Sequence, residues 1–210
     1  MLAIRTQQGV SMIEVLVAIM ILTVGLLGAA GMQSRLQVAE VEAYQRAQAI
    51  VLLQDMVDRI NANRSKQGID EYVTGTTTPL GTDISPNDGI GDFTAAANCA
   101  LPAADAAKVA CRDKLEWEAA IMGAAETKAG NKLGAMNGAL GCITNPVATM
   151  PREVEVAVAW QGLSPIRTPT NTVCGASKFG SDDKYRRALV VKIKIGCLQN
   201  DITTGNCTTL

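Results

Sequence analysis

The sequence predicts an α+β protein in which a long N-terminal helix, transmembrane over its first half, packs on a small antiparallel β-sheet head. Three observations predict this fold class. Residues 15–32 form a run of 18 residues without a charge. An apolar repeat of helical spacing continues beyond that run, and two later segments alternate between apolar and polar residues as strands do.

Composition excludes several kinds of chemistry. The 210 residues include no histidine, which excludes Ser-His-Asp triads and imidazole metal sites. Lysine plus arginine (19) nearly balances aspartate plus glutamate (20), and only 3% of the residues are aromatic, so a nucleic-acid partner is not expected. Neither a Walker A sequence nor a nucleophile elbow occurs. We therefore expect no enzyme, no catalytic residues, no metal site and no cofactor.

The uncharged run at residues 15–32 is long enough to cross a bilayer, because a helix of that length covers about 27 Å at about 1.5 Å per residue. It exceeds the apolar core of a secretory signal, which has roughly 7–15 residues. Glu14 precedes it, where a first-turn acid interacts favourably with the helix dipole. Gly25, Gly28 and Gly31 within the run allow either close helix packing or local loosening of the helix.

The string from Gly9 to residue 18 resembles the type IV prepilin signal. A short leader containing Arg5 ends in glycine, and Glu14 is the fifth residue after it. The resemblance implies that a prepilin peptidase cuts between Gly9 and Val10, and that the new amine of Val10 is methylated. It also implies that Glu14 faces the N-terminal amine of a neighbouring subunit, since a carboxylate in an apolar bundle needs a compensating cation. Val10 departs from the phenylalanine that is commonest at this position of the family.

The helical pattern continues beyond the membrane segment to about residue 64. Its apolar residues recur with heptad spacing and form one predicted stripe: Leu36, Ala39, Ala43, Ile50, Leu53, Val57 and Ile60. Arg46 interrupts the stripe. We expect the stripe to pack against the head, and a freestanding coiled coil is the alternative.

Residues 54–64 resemble the end of the long helix in the PilV family of minor pilins, also called type IV pilus modification proteins. The string there is Gln-Asp-Met-Val-Asp-Arg-Ile-Asn-Ala-Asn-Arg. Residues 25–33 add to the likeness, as does the order Cys99, Asp113, Trp117 in the head.

The first part of the head has loop and helix signals. Residues 65–98 are rich in Gly, Thr, Pro, Asn and Asp and predict a long loop, in which residues 87–92 form an Asp/Gly turn instead of a calcium loop. Residues 102–128 predict a helix with Pro102 in its first turn. Its expected buried face comprises Leu115, Ala119 and Met122, with Trp117 at the edge.

Strand signals follow. Residues 153–160 alternate, with one apolar face formed by Val154, Val156, Val158 and Trp160. Residues 187–197 alternate as well, with inward Leu189, Val191, Ile193 and Ile195 and outward Lys192 and Lys194. Residues 138–145 supply a third strand. We expect the loop at residues 161–186 to project from the sheet.

Six cysteines follow the apolar run: Cys99, Cys111, Cys142, Cys174, Cys197 and Cys207. Their even number and the absence of a C-x-x-C pair indicate disulfides on the oxidising side of a membrane. Cys99–Cys111 is the predicted pair, because it spans the start of the predicted helix. The other four allow three pairings, which stay open.

The predicted organisation is a leader at residues 1–9, a long helix at residues 10–64 with about residues 10–33 in the membrane, and a periplasmic head at residues 65–210. The resemblance implies a minor pilin that helps to initiate and assemble a type IV pilus in a priming or tip complex, supporting piliation, twitching motility and adhesion.

Its implied partners are the prepilin peptidase, other minor pilins, the major pilin, a tip adhesin and the inner membrane, with the pilus (fimbrium) as the final location. A minor pseudopilin of a type II secretion system and a non-polymerising, membrane-anchored periplasmic binding module are the alternatives.

Overall fold

The structure is a computed structural model. The described residues are 9, 11–76, 79–81, 99, 104–123, 127–128, 131–132, 136, 138–147, 152–180, 182–196, 199–200 and 207–208. The leader residues 1–8, Val10 and the predicted turn at residues 87–92 lie outside them.

Helix α1 runs from Met12 to Ala62 and contains 51 residues. The predicted long N-terminal helix is therefore confirmed. The chain divides into two compact units, residues 1–43 and residues 44–210, so α1 contributes to both. In the described part of the chain, α1 is the one helix whose length and composition suit a membrane span.

The second unit contains a four-stranded antiparallel sheet with the strand order β1-β4-β5-β6. Its strands are β1 (Leu80–Gly81), β4 (Leu140–Val147), β5 (Arg152–Gln161) and β6 (Arg186–Ile195). Two short hairpins accompany it: β2 (Thr127–Lys128) with β3 (Asn131–Lys132), and β7 (Gln199–Asn200) with β8 (Cys207–Thr208). The predicted antiparallel α+β head is confirmed.

Strands β5 and β6 pair over ten residues each, from Arg152 opposite Ile195 to Gln161 opposite Arg186. The pairing of β4 with β5 is irregular after Thr144. Pro146 lies in this irregular stretch, and it has no N–H to donate to a sheet.

One face of the sheet forms the main core with the helices. The four predicted inward residues of β5 are all buried: Val154, Val156, Val158 and Trp160. In β6, Ile195 is buried and Leu189 and Ile193 pack against the same core, whereas Val191 is 38% exposed. The inward face is therefore confirmed for β5, and for β6 it is confirmed except at Val191.

The stripe predicted on α1 is wrong for most of its length. The residues of α1 that are buried are Gln45, Ala49, Leu52, Leu53, Met56 and Ile60. Of the predicted stripe, Leu53 and Ile60 are buried and Val57 is half-buried, while Leu36 and Ile50 are exposed. The buried positions follow the 3.6-residue period of a straight helix, and a seven-residue repeat drifts off that face.

Two short elements occupy the region predicted as a loop from residue 65. Helix α2 (Lys66–Tyr72) begins there because the Ser65 side chain accepts a hydrogen bond from the Gly68 N–H at 3.0 Å, which caps the first turn. Strand β1 follows and pairs with β4. The prediction of an uninterrupted loop is thus wrong.

Helix α3 spans Asp105–Ile121, so it is shorter than the predicted helix at residues 102–128. Its buried residues are Ala107, Ala110, Cys111, Lys114, Trp117 and Ile121. The predicted buried residues Leu115, Ala119 and Met122 are only half-buried. The buried face of α3 is rotated relative to the predicted one, because the indole of Trp117 enters the core instead of lying at its edge.

The second face of the sheet has its own small core. The loop at residues 161–186 packs onto it, burying Cys174 and Phe179 against Leu140, Cys142, Ala157 and Ala159. Arg186 is also buried, and its guanidinium donates hydrogen bonds to the carbonyl oxygens of Pro169, Thr172 and Cys174 at 2.9–3.1 Å. The prediction that this loop projects from the sheet is therefore wrong.

Candidate functional site

The first turn of α1 is capped by Ser11. The Glu14 N–H lies 3.1 Å from the Ser11 carbonyl oxygen and 3.4 Å from Ser11 Oγ. A serine followed three residues later by a glutamate is the spacing of a capping box, which satisfies the free N–H groups at a helix start. The sequence interpretation missed this role of Ser11, although the Ser-x-x-Glu spacing signals it. Gly9 is exposed just before this turn.

Residues 15–32 of α1 present apolar side chains around the whole circumference of the helix. Residues 12–41 are all exposed in the isolated chain, including large side chains such as Leu26 and Leu27. Thr23 turns its hydroxyl inward, donating to the Met20 carbonyl oxygen at 2.9 Å. Such a surface suits an apolar solvent, because its polar groups are satisfied within the helix.

The three glycines of this segment touch nothing in the isolated chain. A Cβ atom added at Gly25, Gly28 or Gly31 would meet no heavy atom within 4 Å, apart from the helix's own nearby backbone. Close packing at these glycines would therefore require a neighbouring helix.

In the second unit, Arg59 connects α1 to α3. Its guanidinium lies 3.0 Å from a carboxylate oxygen of Asp55, 3.0 Å from Asp113 and 2.6 Å from Glu116. Desolvation lowers the pKa of Arg59, but the hydrogen bonds to Glu116, Asp55 and Asp113 outweigh it and raise the pKa above its ordinary value. Arg59 therefore stays charged.

Tyr72 brings α2 into the same cluster. Its hydroxyl donates a hydrogen bond to Asp113. Burial and the contact with Asp113 raise the pKa of Tyr72 above its ordinary value, because a phenolate would be desolvated and would face a carboxylate.

Lys114 forms a second link between α3 and α2. It is buried, and its ammonium group lies 2.8 Å from the Glu71 carboxylate and donates to the Glu71 carbonyl oxygen. A buried ammonium requires such partners, because an unpaired one would be strongly destabilising.

Trp117 completes the contact between α1 and α3. Its ring is fully buried, and Nε1 donates to the Leu52 carbonyl oxygen at 2.8 Å. Asn63 adds a bond from Nδ2 to the Ala106 carbonyl oxygen at 2.7 Å. The structure thus brings residues 54–64 together with Asp113 and Trp117, which are part of the sequence pattern that resembles the PilV family.

Two disulfides are present in the described part of the chain. Cys99 is joined to Cys111, as predicted, with a Cα–Cα distance of 5.4 Å. Cys142 is joined to Cys174, which selects one of the pairings that the sequence left open. Cys197 and the side chain of Cys207 lie outside the described residues.

The comparison with protein families identifies the N-terminus. Residues 4–30 match the model of the prokaryotic N-terminal methylation motif. The chain carries a type IV prepilin-like N-terminus. No curated protein and no solved structure matches the chain.

The motif covers the end of the leader, the predicted cleavage site and most of the apolar run. The motif points to the type IV pilin or pseudopilin class and to a structural role, and together with the apolar part of α1 it fits a membrane-anchored protein. It further implies processing by a prepilin peptidase and assembly with other pilins. The α+β architecture, with a long apolar helix followed by a small antiparallel sheet, agrees with a type IV pilin-like fold.

Proposed function

We propose that this protein is a minor pilin of the PilV type that helps to initiate and assemble a type IV pilus. The methylation motif at residues 4–30, which includes the part of α1 that is apolar on all sides, supports this role. Such a surface needs lipid before assembly and neighbouring helices afterwards, since large exposed apolar patches mark interaction surfaces. The protein then lies in the inner membrane with a periplasmic head, and later in the pilus.

In this proposal, cleavage separates Gly9 from Val10 and the new amine of Val10 is methylated. The leader at residues 1–9 is lost, while the apolar helix is retained. Intact-mass and N-terminal peptide measurement on protein from the membrane fraction tests this step. We expect a mature chain that begins with methylated Val10. A mature pool that still begins with Met1 would contradict the step and favour a non-polymerising, membrane-anchored protein.

Glu14 then has two candidate roles, which different substitutions separate. As half of a capping box, its side chain can be replaced by glutamine, because both residue types accept the hydrogen bond that closes the box. As the partner of a neighbour's cationic amine, it needs its charge. We propose the second role, with Ser11 supplying the cap.

The matched variants are Glu14→Gln, Glu14→Ala and Ser11→Ala, compared by immunoblotting of sheared pili and of membranes. We expect both Glu14 variants to accumulate in the membrane and to be absent from pili, while Ser11→Ala is incorporated. Incorporation of Glu14→Gln at the normal level would contradict the charge role and favour capping.

The priming role is tested by deleting the gene and restoring it with wild-type or Glu14→Gln protein. We expect few surface pili and reduced twitching and adhesion without the protein, and restoration by the wild type alone. The proposed partners are other minor pilins, the major pilin and a tip adhesin, and crosslinking in the membrane identifies them. Normal piliation with impaired protein secretion would assign the chain to a type II secretion pseudopilus instead.

A further inference from the structure

Among the described strands, β6 forms the long edge of the four-stranded sheet. It runs from Arg186 to Ile195, and among the described strands it pairs with β5 alone. The opposite edge of the sheet ends in β1, which has only two residues. About half of the backbone N–H and C=O groups of an edge strand point away from its neighbour, so β6 offers a row of hydrogen-bonding groups to an added strand.

The outer face near this edge has a specific charge pattern. Lys194 of β6 lies opposite Glu153 of β5, and Lys192 lies opposite Glu155. Lys192 Nζ is 3.4 Å from Glu153 and 3.5 Å from Glu155, so both carboxylates share it. Lys194 is exposed, and within the described part of the chain it has no ion-pair partner.

The inner face at the same edge is apolar and incompletely covered. Leu189 and Ile193 pack against the main core, while Val191 between them is 38% exposed. A further strand would cover Val191 with its own apolar side chains. Side chains alternate between the two faces of a sheet. The residues of the added strand that lie between its apolar ones would therefore be beside Lys192 and Lys194.

We propose that the free edge of β6 binds an extended segment of another protein in which apolar residues alternate with Asp or Glu. Strand β5 already shows this chemistry on the other side of β6, since Glu153 and Glu155 point outward and Val154 and Val156 point inward. An added acidic strand repeats that ladder, and cross-strand pairs of opposite charge stabilise a sheet. A second copy of β6 would instead bring lysine-bearing edges together. The proposal does not depend on processing at Gly9.

The test uses the full-length protein in detergent micelles and a labelled synthetic peptide with the β5 sequence, residues 152–161. A control peptide carries lysine at both glutamate positions. The test variant is Lys194→Glu. The control variant is Lys178→Glu, which changes the net charge by the same amount at a position away from the edge. Lys178 is exposed in the loop at residues 161–186. Binding is measured by fluorescence anisotropy at low and high salt.

We expect the wild type to prefer the glutamate peptide by about fivefold, because exchanging the charge turns a cross-strand attraction into a repulsion. High salt should reduce this preference. Lys194→Glu should reverse the preference, and Lys178→Glu should keep it. Hydrogen exchange should slow at residues 186–195 when the peptide is bound, without loss of protection in β5.

If neither peptide binds, the proposal is overturned, and the lysines then serve as protection against edge-to-edge aggregation. Equal affinity for both peptides would overturn it as well. Faster exchange in β5 would show strand replacement instead of addition. Dimerisation of the protein through β6 without peptide would assign the edge to a second copy.

Discussion

The two parts of α1 form one helix but have opposite surroundings. Residues 12–41 are exposed on every side, whereas residues 44–62 bury one face that includes Leu53, Met56 and Ile60. Isolated helices gain little stability in water, and most helices depend on tertiary packing. The second part obtains that packing from the head, and the first part has to obtain it from lipid or from other subunits.

The glycines of the two regions differ in the same way. Gly28 in the first unit has open space where a Cβ would lie. At Gly141 in β4, an added Cβ would lie 2.5 Å from the ring of Trp117 and 2.7 Å from Ile121. One glycine thus has space for a methyl group and the other does not, because only the head is packed against other parts of the chain. The predictions below use pairs of substitutions, one in each region where the chain allows it.

The largest expected effect is that of Trp117→Ala. It removes a fully buried ring and its hydrogen bond to Leu52, so we expect a loss of about 3–5 kcal/mol in the free energy of unfolding of the head. Denaturant unfolding of the full chain in detergent, followed by tryptophan fluorescence, measures it, because Trp160 still supplies the signal when Trp117 is removed. Leu27→Ala is the control and should change this free energy by less than about 0.5 kcal/mol. An equal loss in both variants would refute the contrast between the regions.

The next largest effect is expected from removing the disulfide between Cys142 and Cys174, which lies on the second face of the sheet. The double variant Cys142→Ser and Cys174→Ser opens a link between residues separated by 32 positions, for which the chain-entropy model gives about 4 kcal/mol. The double variant of Cys99 and Cys111, separated by 12, should lose about 3 kcal/mol. Denaturant unfolding compares them, and a larger loss for the shorter loop would mean that packing at the site outweighs loop entropy.

Gly141→Ala should destabilise the head by about 1–3 kcal/mol, because the methyl group overlaps the Trp117 ring. Gly28→Ala should leave the unfolding of the head unchanged, since its methyl group meets no atom. Thermal unfolding of both variants in the same detergent measures the difference. A stable Gly141→Ala protein would show that Trp117 can shift at low cost.

The smallest effect is expected in alkaline solution. The raised pKa of Tyr72 means that the folded protein keeps a proton which the unfolded chain loses near the ordinary value of 10.0. The stabilisation is therefore complete below pH 10 and decreases as the pH rises further, by up to about 1.4 kcal/mol per pH unit. Tyr72→Phe should remove this decrease, whereas Tyr44→Phe should not. Tyrosine absorbance during unfolding at fixed pH checks it, and identical pH profiles would contradict the assignment.

Sequence periodicity was a sound guide where one period dominated. The inward face of β5 was predicted correctly because Val154, Val156 and Val158 alternate with small or acidic residues, which leaves one arrangement. On α1, apolar residues lie on several faces, so heptad spacing selected Ile50, which is exposed, and missed Met56, which is buried. Only contact with the head distinguishes those faces.

In the candidate site as well, the features that depend on neighbours in sequence were predicted, and those that depend on distant residues were missed. Glu14 was placed correctly in the first helical turn, because caps and first turns depend on neighbours in sequence. The cluster of Arg59, Tyr72 and Asp113 was missed, since its members are separated by 13 to 54 residues and come together only in the fold. Lys114 was missed because a lysine is seldom buried unless a partner such as Glu71 lies beside it.

The sequence by itself determined the prepilin-like N-terminus, the long helix and the two main strands, because each depends on spacing within a short stretch of chain. The tertiary structure decided which helix faces are buried, that the loop at residues 161–186 covers the second sheet face, and that Cys142 joins Cys174. These features depend on residues far apart in the chain, and local periodicity contains no information about which distant surfaces meet.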